Sequence, residues 1–274
     1  MIRIGLSSQA LLMRSPAEIL SAARSAGAEA REWADGVHVP HDDHKAAEQV
    51  MIETLRAGLT TASYSAIHLP EADGGSEART ESVFMAADIL QAPNIRLFLG
   101  GHPTPRPDPS RRSRLVADAR RLGDRAAKSG RTICLSMGSH TFLDRYAEAL
   151  ALTAEIGHPY VRLAWDALPG VNAEEASGAL EEAGSSVCLV MARHVERDGI
   201  ARGLAGEEAQ WRRRLAAFKR TELDPKMGLF VFVGAMRDGA SGAEGAQACL
   251  AEDISLLRRI ADELEGGAHR KPGA

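Results

Sequence analysis

Short apolar runs alternate with longer amphipathic stretches along almost the whole chain. Ile2 to Leu6 reads as a strand, and Ser15-Pro16-Ala17-Glu18 opens a helix with an N-cap serine, a proline at its first position and an acid in its first turn. Gly27 closes that helix. A second strand-like run, Ala28 to Trp33, leads through the loop ADGVHVPHDD into a helix that ends at Arg56, with Gly58 as its stop. The spacing then predicts strands over 59–65, 94–99, 132–137, 160–165, 187–192 and 229–233. The helices between and after them are expected over 76–90, 110–128, 141–156, 173–183, 207–218 and 243–264. Eight strand-helix units is the number that closes a parallel sheet, so the fold class is α/β and the architecture a (β/α)8 TIM barrel. A doubly wound open sheet is the alternative, but it calls for a Gly-rich phosphate turn after the first strand, and GLSSQ is not one.

The length of 274 residues fits a single barrel over 1–266, and the Gly-, Pro- and charge-rich tail 267–274 is expected to be disordered. A formal net charge of -4, with basic residues interleaved among acids, argues against nucleic acid as a partner. No stretch is apolar for long enough to span a membrane and no leader pattern opens the chain, so the expectation is a cytoplasmic protein acting on a small-molecule substrate. Cys134, Cys188 and Cys249 lie far apart without CxxC spacing and are expected to be separate, reduced thiols.

In such a barrel the chemistry sits at the strand exits. The stretch Arg131 to Asp144, RTICLSMGSHTFLD, places Ser136, Ser139 and His140 at one of them. Asp166 follows strand six, and His194 and Glu196 follow strand seven. An imidazole oriented by a carboxylate shuttles protons near neutral pH, so His140 or His194 facing Asp166 would be an acid/base pair that needs no metal. Loop histidines that never meet fit the sequence equally well. Tyr64, at the end of strand three, could donate a hydrogen bond to a substrate oxygen or simply fill the core, and His68 follows it by four residues. His41 and His44, with Asp42 and Asp43, look metal-like but are better read as a solvated loop. GGHPTPRPDP reads as a stiff lid after strand four.

The phrases REWADGVHVPHDD, TTASYSAIH, ILQAPNIRLFLGG, RTICLSMGSHTFLD and HPYVRLAWD together resemble the xylose isomerase-like TIM barrel superfamily of sugar-phosphate isomerases and epimerases. The resemblance covers nearly the whole chain. It implies a divalent metal at the barrel mouth, held by a glutamate on strand five, an acid or amide on strand six, a histidine on strand seven and a glutamate on strand eight. This sequence departs from that pattern. Ser136 stands at the strand-five glutamate, Gly138 at the histidine usually found two residues later, and Val231 at the strand-eight glutamate, while strand seven, VCLVMA, has no histidine. Only Asp166 keeps a ligand-capable group, and one carboxylate binds a divalent ion weakly, so neither a metal nor another cofactor is expected.

The resemblance also implies roles for Glu32 and Arg96. Glu32, beside Trp33, stands where the family often has an acid, as a proton-transfer group or as the partner of Arg31 or Arg96. Arg96 matches the family's arginine, to bind an anion or to make an interior ion pair, and His38 matches its loop histidine. The expected catalytic set is therefore Asp166, His194, His140 and Glu32. The expected substrate contacts are His38, Tyr64, His68, Arg96, Ser136, Trp33 and Trp165. Replacing glutamates by Ser136 and Val231 makes the cavity less anionic, which suits a substrate less polar than a free sugar.

The functional expectation is a divergent enzyme whose acid/base reaction needs no metal: isomerisation, cyclisation, elimination or hydrolysis of a small carbonyl-bearing metabolite, in specialised biosynthesis. The alternatives are a metal-dependent sugar isomerase or epimerase with shifted ligands, and a non-catalytic barrel that binds a ligand or a partner. The last helix carries Leu250, Ile254, Leu257 and Ile260 at helical spacing, which serve either the core or a homodimer face.

Overall fold

The structure, a computed structural model, describes residues 1–69, 77–99, 109–138, 141–195, 200–220, 228–234 and 242–266. The barrel strands are β1 (Ile2–Ser7), β2 (Ala30–Ala34), β3 (Thr60–Leu69), β4 (Asn94–Leu99), β5 (Thr132–Ser136), β6 (Val161–Asp166), β7 (Val187–Ala192) and β10 (Leu229–Val233). They close in the order β1-β10-β7-β6-β5-β4-β3-β2, all parallel, which is the expected (β/α)8 barrel. Two short strands, β8 (His194–Val195) and β9 (Ala201–Arg202), form an antiparallel hairpin beyond β7.

The helices are α1 (Pro16–Ser25), α2 (His44–Arg56), α3 (Glu77–Ile89), α4 (Pro109–Ser129), α5 (Tyr146–Ile156), α6 (Ala173–Ala183), α7 (Glu208–Lys219) and α8 (Gly242–Gly266). Their starts follow from local chemistry. Ser15 accepts from Glu18 N while the Glu18 carboxylate accepts from Ser15 N at 2.8 Å, a capping box with Pro16 at the first position. Asp43 caps α2 by accepting from Ala46 N, and Asn172 caps α6 by accepting from Glu175 N. Gly27 and Gly58 leave α1 and α2 at φ 75° and 70°, a conformation a side chain would oppose.

Helix α5 begins five residues later than the pattern predicts. Thr141 explains the delay: its hydroxyl donates to Gly138 O at 2.9 Å and accepts from Leu143 N at 3.0 Å, diverting backbone groups that a helical turn would use. Phe142 N then donates to Leu99 O, so the β5–α5 connection crosses to the end of β4.

Strand side chains alternate between two cores. Outward, Ile4, Leu6, Trp33, Leu97, Leu135, Trp165, Val190 and Val231 pack against the helices. Inward, Ala30, Ala62, Cys134, Ala164, Cys188, Met191, Phe230 and Phe232 fill the barrel. A methyl group on Gly5 would sit 2.7 Å from the Phe232 ring and 2.8 Å from Ala30 O, so glycine makes room for that ring. Leu250, Ile254, Leu257 and Ile260 of α8 are all buried, which spends its apolar face in the core. No helix among the described residues is long and apolar enough to cross a membrane.

The expectation of separate cysteines is overturned: Cys134 on β5 and Cys188 on β7 face each other inside the barrel, with Cα atoms 6.5 Å apart. Only β6 separates the two strands, and both side chains point into the barrel, a proximity that a sequence separation of 54 conceals.

Candidate functional site

Above the aromatic floor of Phe230 and Phe232, the inward positions turn polar at the strand exits. Ser7, Glu32, Ser65, Arg96, Ser136 and Asp166 are all buried there. The turn of 3-10 helix Ser8–Leu11 after β1 brings Gln9 over this layer.

Glu32 and Arg96 form the centre of one half of the mouth. Arg96 Nε and Nη2 donate to the two Glu32 carboxylate oxygens, each at 2.8 Å, and Ser7 Oγ donates to Glu32 Oε1 at 2.7 Å. Arg96 Nη1 donates to Ser136 Oγ at 2.9 Å, and Nη2 donates to Gln9 Oε1 at 2.9 Å. The Gln9 amide in turn donates to Ser65 Oγ. A buried, bidentate pair whose remaining groups are hydrogen-bonded is a rigid unit, so Glu32 is held by Arg96 and Ser7. Ser136 completes the shell of Arg96.

Asp166 dominates the other half. Burial pushes its carboxyl up to about 6, against the opposing pull of the Arg193 and Arg96 guanidinium groups. Arg193 Nε donates to Asp166 Oδ1 in a short charge-assisted bond. The strand exit is fixed from outside: Tyr146 OH donates to Asp166 O at 3.1 Å and accepts from Leu168 N at 3.0 Å. Met191 is the cross-strand partner of Asp166, and of Phe232 on the far side.

The structure does not bring His194 to Asp166. Its Nδ1 lies 3.3 Å from Gly203 O and its Nε2 3.7 Å from Glu207 Oε1, and Glu207 is bound on its other oxygen by the buried Arg214. The parity of the strand explains this. Val190 and Ala192 face the helices, so His194 shares their side and Arg193 faces the mouth. Counting alternate positions along VMARH would have found Arg193.

The same alternation turns three expected substrate contacts outward. Trp33 Nε1 donates to Thr54 Oγ1 of α2 at 3.2 Å, and Tyr64 OH donates to Val39 O at 2.8 Å, with burial pushing its phenol up. Trp165 stacks on Tyr146, with ring centroids 6.2 Å apart, and meets Trp211 edge-on. His38 packs edge-on against Trp33, and burial favours its neutral form. His68 lies on β3, with its side chain outside the described residues. His140, Ser139, Glu196, the segment 100–108 of the expected lid and the tail also lie outside them. His41 donates its backbone N–H to Asp35, and its ring lies 3.0 Å from the same oxygen.

Among the described residues the donors do not make up a divalent-metal site. Val231, the expected replacement of the strand-eight glutamate, faces the helices, and the inward residues of β10 are Phe230 and Phe232. Met191 lies beside Phe232 in register, and the two described mouth carboxylates, Asp166 and Glu32, are each already engaged by a guanidinium. Among the described residues no three His, Cys, Asp or Glu side chains gather as a metal-ion ligand set.

The chain matches no family profile and no curated protein. Solved structures do share its fold. An L-ribulose 3-epimerase superposes with a TM-score of 0.73 at 17% identity, covering 99% of this chain and 100% of that one. A probable 3-DHS dehydratase, AsbF of Bacillus anthracis, involved in petrobactin synthesis, gives 0.68 at 15% identity over 94% and 99%. A xylose isomerase-like TIM barrel protein of Mycobacterium smegmatis, in complex with magnesium, gives 0.66 at 15% over 94% and 97%.

Proposed function

We propose that this (β/α)8 barrel, which shares its fold with xylose isomerase-like proteins and sugar epimerases, is an enzyme carrying out a metal-independent acid/base reaction on a small carbonyl-bearing metabolite. The observation that carries this reading is the Asp166–Arg193 pair: a buried carboxyl raised to about 6, held by a cation at the place where relatives are expected to hold a metal ligand.

In this reading Asp166 is the proton-transfer group. Its carboxylate removes a proton from carbon beside the substrate carbonyl; the C–H electrons move to the carbonyl oxygen, and Asp166 takes the proton as O–H. Arg193 offsets the negative charge that develops. Return of the proton to another atom completes an isomerisation, and loss of a β-substituent instead completes an elimination. The epimerases and the dehydratase among the structural relatives are consistent with either outcome. Glu32, fully engaged by Arg96 and Ser7, has the role of a charge-balanced support.

The test is deuterium incorporation from D2O into a panel of small aldehydes, ketones and keto acids, followed by NMR after exhaustive dialysis against EDTA. Exchange that persists in EDTA and is lost in Asp166→Asn is expected. Exchange that appears only on adding magnesium or manganese would overturn the reading. It would favour the runner-up, a metal-dependent sugar isomerase or epimerase, which the magnesium-bound relative supports.

A further inference from the structure

The described mouth balances its own charges in pairs: Arg96 with Glu32, and Arg193 with Asp166. The donors are not spent equally. Every nitrogen of the Arg96 guanidinium has a protein acceptor. Arg193 uses Nε alone, and its Nη1 and Nη2 have no acceptor among the described residues. Its side chain is 28% exposed, against 6% for Asp166, so the unspent edge of the guanidinium faces the open side of the pair.

An anchored guanidinium with two parallel N–H groups matches the two oxygens of a carboxylate, and anchoring through Nε reduces the freedom lost on binding. Below the pair the barrel is closed: Met191 stands beside Asp166 in register, Phe232 follows across β10, and both are buried, so the accessible side of the pair is the Arg193 edge.

We propose that the substrate is a carboxylate-bearing carbonyl compound, its carboxylate seated on Nη1 and Nη2 of Arg193 so that its carbonyl lies beside Asp166. The assignment deepens the acid/base reading of Asp166 by naming the substrate class, and it is tested by binding rather than by turnover. Among the described residues a phosphate group would meet two mouth carboxylates and one free guanidinium edge, so a carboxylate is the better match.

The experiment is calorimetric titration of the full-length protein with phenylpyruvate, its methyl ester, phenyl phosphate and D-fructose. Phenylpyruvate is expected to bind at least about tenfold more tightly than the ester, since a charge-assisted bidentate contact is lost on esterification. Arg193→Met should weaken phenylpyruvate by about the same factor and leave the ester unchanged, with Arg193→Lys in between. Absence of phenylpyruvate binding, equal affinity for the ester, tighter binding of phenyl phosphate or D-fructose, or an unchanged affinity in a folded Arg193→Met would each overturn the assignment. Where Arg193→Met does not fold, the acid and ester comparison on the unaltered protein decides. Loss of deuterium exchange with phenylpyruvate binding intact would sink the acid/base reading alone, and loss of Arg193-dependent binding with exchange intact would sink the carboxylate assignment alone.

Discussion

Arg193 Nε donates to Asp166 Oδ1, while the next residue, His194, turns away to Gly203 O and Glu207. One step along the chain thus exchanges an imidazole for a guanidinium as the partner of the buried carboxyl. An arginine holds its proton throughout the working pH range, so the proton that moves in this pair is the aspartate's.

Asp166→Asn should abolish solvent exchange into a carbonyl substrate while keeping the barrel folded. His194→Ala should leave that exchange unchanged, because its ring is committed outside the mouth. NMR exchange rates on the two variants decide between them, and a loss in His194→Ala comparable to that in Asp166→Asn would contradict the geometry.

The same carboxyl has a signature in stability. Its folded pKa, about 6, lies above the ordinary 3.8, so between those values the folded state holds a proton that the unfolded chain has released. The favourable contribution is full below 3.8 and is lost as pH rises through 6. Urea midpoints from pH 4 to pH 7 should therefore fall less in Asp166→Asn than in the unaltered protein, on the order of a few kcal/mol less once converted.

Glu32→Gln would leave Arg96 charged and buried without its bidentate partner. A loss of about 3–5 kcal/mol is expected on chemical unfolding, with much of it recovered in Glu32→Gln/Arg96→Met, where neither charge remains.

Arg31 presents the opposite case. It is fully buried on β2, its guanidinium nitrogens have no hydrogen-bond partner among the described residues, and burial pulls its pKa down to about 9. The only ring it faces is Trp33, 5.1 Å away, among the described contacts. Arg31→Met keeps most of the volume and removes a desolvated charge, so the melting temperature should rise. A fall in melting temperature would show that the cation is stabilised by something other than these contacts.

Gly5→Ala tests the packing of the floor. The added methyl meets Phe232 and the Ala30 carbonyl at once, so a shift of the ring alone does not relieve it. A cost of about 1–3 kcal/mol on chemical unfolding is expected.

The sequence by itself determined the barrel. Strand and helix periods, the cap at Ser15 and the stops at Gly27 and Gly58 are local, and eight repeats of one local unit leave closure as the way to bury both faces of a parallel sheet. The sequence also placed Asp166 and Ser136 at strand exits, because those positions follow from where each apolar run stops, while the family resemblance pointed to Glu32 and Arg96. Tertiary structure decided which neighbour faces which: Arg193 rather than His194 toward Asp166, Phe232 rather than Val231 into the barrel, Trp33 and Trp165 into the helical layer, and Cys134 onto Cys188. The physical reason is the pleat. A one-residue difference in parity reverses a side chain's face, and strand parity is set by pairing with residues far away in the chain.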